Sequence, residues 1–585
     1  GYAEADALSD SLAGHLAARG IRRGDRVAVM LQNTPHFVLA VLAAWKAGAV
    51  VVPLNPMYKS AEAGHILRDS GATALICETR AWTACLHATA RATGVHTVLT
   101  ADPRDFQTRD DPRAFPPGTP AGTPAPPGAT ARAGAPASQP APAGGPATGD
   151  GSVPASAAVS PAAAVPQAAA VSPAASVPRA TRVPQAAPLP GPRRGTGTPA
   201  REAGPGSAPG FAPADLAAVA RQGHPAPADP RLTAADLALI SYTSGTSGTP
   251  KGAMNPHGAL TYNATRQVTG HPLPEGAGYF AMAPLFHITG LVCELAACFA
   301  NAGTLVLAHR FDAGTVLDAF VEHRPAYTIG PATAFTALAA HPAATPDHFA
   351  SFQVISSGGA PLPPALVERL RASFGFYLRN GYGLTECTAP CASVPAHREA
   401  PVDPASGTLS VGVPGAQTLV RILDEHGAEL PFGETGEIAV RGPQVVPGYW
   451  GLPDETAKAF PDGELRTGDV GFMDPDGWLY VVDRKKDMIN ASGFKVWPRE
   501  VEDVLHTHPA VRDAAVVGVP DPYRGESVKA YVSLRPGASA EPAQLSAYCA
   551  ERLAAYKYPR EVEILPVLPQ TTSGKILRRE LRERG

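Results

Sequence analysis

No run in the 585 residues approaches the roughly 20 consecutive apolar residues that a membrane-spanning helix needs. Cysteine is sparse: seven residues, Cys77, Cys85, Cys293, Cys298, Cys387, Cys391 and Cys549, are scattered and odd in number, with no Cys-x-x-Cys pair. Cys387 and Cys391 lie four apart, but no second Cys or His pair follows closely, so the spacing gives little support to a zinc site. Reduced thiols fit a cytoplasmic protein better than a disulfide scaffold does. No secretory pattern stands at the N-terminus and no address or lipidation motif at the C-terminus. Charge of one sign is also lacking. The formal net charge of -3 gives no electrostatic case for nucleic acid or an anionic membrane as partner. The chain is too long for one hydrophobic core, so two or more domains are expected.

What is plentiful is glycine (58) and proline (63), and the excess is concentrated in residues 103–210. That stretch is mostly Ala, Pro, Gly, Ser and Thr, with almost no aromatic side chains. It cannot bury enough apolar surface to offset a backbone ordering entropy of roughly 1–2 kcal/mol per residue, so a disordered insertion is expected. A proline-rich docking tract is the functional alternative. Ordered sequence is expected to resume near Pro213.

The flanking segments alternate between strand and helix patterns. Leu8, Leu12 and Leu16 form one apolar stripe, predicting a helix over 5–19. Arg26 to Leu31, Ala49 to Pro53, Ala72 to Cys77 and Thr97 to Leu99 read as buried strands, with a helix over 36–46 between the first two. Alternation of this kind implies βαβ units and an α/β fold with mainly parallel sheets. The start, Gly1-Tyr2-Ala3-Glu4 without Met, reads as truncated and could cost a strand or two at the domain's edge.

Chemistry enters at Tyr242-Thr-Ser-Gly-Thr-Ser-Gly-Thr-Pro-Lys-Gly252. The preceding Leu237 to Ser241 reads as a buried strand, and 255–267 as a polar turn leading into a helix. Glycines let backbone N–H groups approach oxyanions, hydroxyls add donors, and Lys251 adds a compact positive charge, so the loop suits phosphate. It is not a Walker loop, because Pro250 stands where that pattern needs glycine.

Further corners follow in order: Ala283-Pro-Leu-Phe-His287-Ile-Thr-Gly290, Tyr327 to Phe335, Phe352 to Pro361 with Gly358-Gly359-Ala360, and Asn380-Gly-Tyr382-Gly383-Leu-Thr385-Glu386. Tyr382 offers a flat face suited to adenine. Thr385 and Glu386 offer the hard oxygens that Mg²⁺ prefers beside phosphates. Leu465-Arg-Thr-Gly-Asp469 places a carboxylate after a glycine turn, where it can accept two ribose hydroxyls. Asp483-Arg484-Lys485-Lys486-Asp487 is dense in charge. Ser492-Gly493-Phe-Lys-Val-Trp-Pro498 opens a compact α+β segment of about 100 residues, a usual small-domain size. It ends in Pro569-Gln-Thr-Thr-Ser-Gly-Lys575.

Taken together and in this order, the motifs resemble those of the adenylate-forming (AMP-binding) superfamily over nearly all of 1–100 and 211–585. The likeness is strongest to the acyl-CoA synthetase branch, through Met488 to Pro498 and Asp521 to Glu526, which look like bacterial fatty-acid–CoA ligases. The resemblance implies a large N-terminal domain of several α/β subdomains (1–102 and 211–484) and a small mobile α+β C-terminal domain (485–585). It implies that Thr243, Ser244, Gly245, Thr246, Ser247, Gly248 and Lys251 hold the phosphates of ATP, with Thr246 and Glu386 on Mg²⁺. Gly358, Gly359, Ala360 and Tyr382 would hold the adenine, Gly383 and Thr385 would belong to the same nucleotide site, Asp469 would hold the ribose, and Arg484 would contact the nucleotide. His287 would line the carboxylate end of the acyl pocket, Lys486 would be the hinge, and Gly493 would lie along a pantetheine tunnel for CoA. Lys575 would reach into the site during adenylation, making Lys575, His287, Glu386 and Thr246 the catalytic set.

The expected substrate is a medium- or long-chain fatty acid. No Asp or Glu occurs between Gly278 and Gly290, where amino-acid-activating relatives hold the substrate amine. Segments 290–300 and 330–339, rich in Ala and Gly, could leave room for an acyl tail, or could reflect a composition rich in Ala throughout. The alternatives are acyl transfer to a separate carrier protein, or a non-catalytic nucleotide-binding remnant; a homo-oligomer is possible in either case.

Overall fold

The computed structural model describes residues 1–107, 111–113, 212–243, 250–484, 487–491, 494–521, 525–571 and 575–584. Most of the insertion expected at 103–210 therefore lies outside the described residues. Within its described start, Arg113 pairs with Asp111 at 2.7 Å and Asp318 at 2.6 Å.

Short runs of apolar and β-branched residues make the central strands, because both faces of each are covered. The first sheet contains β1 (Arg26–Met30), β2 (Val50–Pro53), β3 (Ala74–Glu78), β4 (Thr97–Ala101), β5 (Ala214–Asp215), β6 (Leu237–Tyr242) and β7 (Gly252–Pro256), in the order β5-β4-β3-β1-β2-β6-β7. All its pairings are parallel except β6 with β7. Val27, Val29 and Val51 are fully buried in the core on one face of this sheet, beside Leu12 and Leu16 of helix Tyr2–Ala18.

The second sheet contains β8 (Gly278–Ala281), β9 (Thr304–Leu307), β10 (Tyr327–Gly330), β11 (Val354–Gly358), β12 (Leu378–Leu384), β13 (Ala389–Ser393) and β14 (Val413–Pro414), in the order β14-β13-β12-β11-β10-β8-β9. Strands β8 to β12 are parallel, and their carboxyl ends carry 282–290, 330–332, 358–361 and 385–387, the loops that open sheets use for ligands. A four-stranded antiparallel sheet follows: β15 (Leu419–Leu423), β16 (Gly436–Arg441), β17 (Leu465–Met473) and β18 (Leu479–Arg484). The last sheet contains β19 (Ile489–Ala491), β20 (Phe494–Val496), β21 (Val511–Asp521), β22 (Gly525–Leu534) and β23 (Glu561–Ile564), with helices Pro498–His506 and Pro542–Ala550.

One expectation needs correction. The expected turn into a helix over 255–267 is present, but the chain does not pass straight from the loop after β6 into it. The chain first returns as β7, antiparallel to β6, with Tyr242 opposite Gly252, and helix His257–Gly270 begins only afterwards. Gly252-Ala-Met-Asn-Pro lacks the apolar alternation that marks a strand; pairing with β6 imposes the extended form. Strands β6 and β7 therefore form an antiparallel pair flanking residues 244–249, which lie outside the described residues.

Candidate active site

Strand ends bring several of the predicted residues to one place. Gly359 follows β11 at φ +81°, a left-handed conformation that favours glycine. A Cβ at that position would lie 3.4 Å from Cε of Lys575 and 3.8 Å from its Nζ, so the C-terminal lysine rests on this turn. Lys575 is held by its own backbone: its N–H donates to Thr571 Oγ1 at 3.0 Å and its carbonyl accepts from Thr571 N–H at 2.6 Å. Burial, then the neighbouring Arg484, holds its ammonium below the ordinary lysine range, while Asp469 and Glu386 pull the other way.

Asp469 on β17 sits opposite Arg484 on β18 and meets its guanidinium at 3.3 Å. The Tyr382 hydroxyl donates to the other oxygen of Asp469 at 2.6 Å. Burial pushes the Asp469 carboxyl up, and Arg484, Tyr382 and Lys575 offset part of that. Tyr382 precedes a bulge in β12, where Gly383 approaches β13 so closely that a Cβ would lie 2.1 Å from the Ala389 carbonyl oxygen. Glu386 lies on the turn after β12 and accepts a hydrogen bond from Tyr449 at 2.8 Å.

His287 follows β8. Burial, with Lys575 second, pushes its pKa down to about 3, so the ring is neutral near pH 7. Its Nδ1 accepts from Thr289 N–H at 3.3 Å, which leaves Nε2 to carry the proton. Lys251 pairs with Glu455 at 2.5 Å and lies 5.2 Å over the Tyr449 ring. Thr243 donates its N–H to the Lys251 carbonyl at 2.9 Å, closing the neck of the loop. Ser244, Gly245, Thr246, Ser247, Gly248, Lys486 and Gly493 lie outside the described residues. Gly358 and Ala360 flank Gly359, and Thr385 gives its carbonyl to Asn255 at 3.0 Å.

The sequence reading missed the residues that support this site. Asn255 also reaches Thr388 Oγ1 at 3.0 Å, and Asn263 donates to the carbonyls of Cys387 and Thr388 at 3.1 and 2.6 Å. These bonds hold a turn in which Thr388 and Ala389 both have positive φ, a strain tolerated where the surroundings fix it. On the other side, Asn33 binds the carbonyls of Ala281 and Ala283 and the N–H of Leu285, and Glu294 Oε1 accepts from Met282, Ala283 and Ile329. The one signal was Glu294 itself, a lone carboxyl in an apolar run.

Among the described residues no group of three His, Cys, Asp or Glu side chains converges on a metal. Glu386 nonetheless fits Mg²⁺ beside phosphates: it is a hard oxygen donor, and that ion draws most of its shell from phosphate and water.

The family model described as "AMP-binding enzyme" matches residues 1–450, and its C-terminal-domain model matches 500–575. The chain belongs to the AMP-binding enzyme family. Two relatives named feruloyl-CoA synthase, from Amycolatopsis and Streptomyces, are 41% identical over 60% of this AMP-binding enzyme and 70% of their own length. A long-chain-fatty-acid–CoA ligase of Bacillus subtilis is 39% identical over 60% of this chain and 62% of its own. Among solved structures, ATP-bound MatB from Rhodopseudomonas palustris is similar at a TM-score of 0.76, with 26% identity over all of this chain and 93% of its own. The o-succinylbenzoate CoA synthetase of Bacillus subtilis, in complex with its acyl-adenylate, is similar at a TM-score of 0.71, with 25% identity over 99% of this chain and 93% of its own. This AMP-binding enzyme therefore falls among the acyl- and aryl-CoA ligases that pass through an adenylate. No described helix is long and apolar enough to cross a membrane.

Proposed function

We propose that this AMP-binding enzyme is an ATP-dependent acyl-CoA synthetase that acts in the cytoplasm on a medium- or long-chain fatty acid. The observation that carries the activity is the convergence of Lys575 on Gly359 beside Asp469, Arg484, Glu386 and His287.

A carboxylate is a poor acyl donor because its leaving group is oxide. In the proposed first step, a carboxylate oxygen attacks the α-phosphorus of ATP, forming the acyl–phosphate bond as pyrophosphate leaves. Lys575 neutralises the two anions that must meet, the carboxylate and the α-phosphate. The neutral His287 offers an N–H donor at the carboxylate end. Asp469, oriented by Tyr382 and Arg484, takes the ribose, and the Thr243–Lys251 loop takes the phosphates. Mg²⁺, held by Glu386 and Thr246, would supply positive charge to the phosphates. The rate enhancement rests on positioning and electrostatics, since charge develops on oxygens the site already faces. In the second step, the CoA sulfur attacks the acyl carbonyl, its thiol proton passing to solvent, and the thioester forms as the bond to AMP breaks and AMP leaves.

The fatty-acid assignment rests on likeness to fatty-acid–CoA ligases. A hydroxycinnamate-type acid is the second reading, supported by the feruloyl-CoA synthases among the relatives. A Cβ on Gly290 would lie 2.3 Å from the Pro284 carbonyl oxygen, and one on Gly330 2.5 Å from Met282 Sδ. Those glycines serve close packing, so they give no support to a long tail.

AMP release from ATP, with and without CoA, across acids of increasing chain length and cinnamic acids, tests both readings. CoA-dependent turnover peaking at C8–C18 acids, and reduced by two orders of magnitude or more in Lys575→Ala, is expected; loss of one transition-state donor typically costs about 3–4 kcal/mol. A maximum on cinnamic acids would replace the substrate class. Pyrophosphate exchange without CoA turnover would move the acceptor to a carrier protein. No exchange with any acid would sink the enzyme reading.

A further inference from the structure

Lys575 acts only if something holds it against the turn at Gly359, and a half-buried ion cluster three residues away is placed to do so. Arg578 opens helix Arg578–Arg582. Its Nη2 lies 2.7 Å from both oxygens of Glu502, and its Nη1 lies 3.5 Å from Asp483 Oδ1 and 3.5 Å from Asp487 Oδ2. One turn on, Arg582 binds Asp487 at 2.6 Å. Asp483 is anchored in turn: Oδ1 accepts from Arg484 N–H at 2.7 Å and Oδ2 from Arg499 N–H at 3.0 Å.

The partners of Arg578 lie on two different parts of the chain. Glu502 belongs to helix Pro498–His506, in the same C-terminal segment as Lys575. Asp483 belongs to β18, next to Arg484, which pairs with Asp469. One guanidinium therefore joins the strand that orients the Asp469 carboxylate to the segment that carries Lys575. The path runs Tyr382, Asp469, Arg484, Asp483, Arg578, Lys575. A half-buried cluster of this kind adds little net stability, because desolvation offsets much of the attraction, so its role is argued from where it sits.

We propose that Arg578, through Asp483, is a positioning residue that holds Lys575 in the site for acid activation. The inference rests on the function proposed above. It makes a distinction that a merely structural ion pair would not. In the mechanism proposed above Lys575 works in the first step, so loosening the pair slows adenylate formation and spares thiolysis.

The test uses the full chain with Asp483→Asn and Arg578→Lys. Acid-dependent ATP–pyrophosphate exchange is expected to fall about tenfold in each. Thioester formation from supplied acyl-AMP and CoA is expected to stay within twofold of wild type. Hydrogen exchange over residues 575–584 reads the same contact without turnover, and is expected to quicken in both variants while helix Pro542–Ala550 stays unchanged. Equal loss of both half-reactions overturns the proposal and makes the cluster structural. So does unchanged pyrophosphate exchange in a folded variant, or unchanged hydrogen exchange over 575–584. A wild-type protein that activates no acid removes the functional reading instead, and hydrogen exchange then decides the positioning contact by itself.

Discussion

A side chain at Gly359 would meet two constraints at once. Its φ of +81° strains any residue with a Cβ, by roughly 1–2 kcal/mol, and that Cβ would press on the Lys575 stem at 3.4 Å. Gly359→Ala is therefore expected to lower the unfolding free energy by that amount and to slow ATP–pyrophosphate exchange by more than the stability change alone would cause. Denaturant unfolding and exchange on the same preparation check it; full activity in a variant with lowered stability would mean that Lys575 does not work from this turn. At this scale the sequence singled out His287, Tyr382, Asp469 and Lys575 as motif residues, and the fold places them near one another. The sequence was silent on partners brought in from afar. Tyr449 at Glu386, Glu455 at Lys251 and Asn33 at the His287 loop come from 63, 204 and about 250 residues away, and no local pattern reports such pairings.

Among elements, the central strands were legible because Val27 to Met30, Val50 to Val52 and Ala74 to Cys77 are short buried runs with no competing helical period. Strand β7 was not, because pairing to β6, and not its own residues, makes it extended. The turn after β8 was half legible: His287 stood out, whereas the Glu294 anchor beneath it did not. Glu294 is fully buried, with Oε1 shared by three backbone N–H groups and Oε2 without a hydrogen-bond partner among the described residues. Burial holds its carboxyl well above the usual range, which favours the neutral form, while the three backbone N–H donors act the other way. Glutamine has the same acceptor as that neutral form. Glu294→Gln should cost under about 1 kcal/mol, whereas Glu294→Ala strands three donors and should cost about 3 kcal/mol or more. Urea unfolding of the two variants separates these cases, and a large loss in the glutamine variant would mean that the ionised carboxylate is the resident form.

For the whole molecule, the response to acid is set by histidines enclosed in different layers. His36, on helix Pro35–Lys46, His271 and His506 are each pushed down to about 4, in every case with burial as the largest cause. Such an imidazole binds fewer protons folded than unfolded between about pH 4 and 6.5, so its contribution to stability is complete above 6.5 and is lost as pH falls toward 4. Some buried carboxyls act in the opposite direction. Asp503, pushed up to about 6 chiefly by burial, is stabilising when protonated and loses that contribution as pH rises through 6. A comparison that holds those carboxyls constant isolates the imidazole. His36 is fully buried, edge-on to Phe106 at 5.1 Å, with Asp105 3.8 Å away. Between pH 7 and pH 5 the wild-type chain should lose about 2 kcal/mol more unfolding free energy than His36→Leu, because only the wild type must keep this ring from its proton. Denaturant unfolding at the two pH values measures the difference. An equal loss in both proteins would show that the ring takes up its proton inside the fold, beside Asp105.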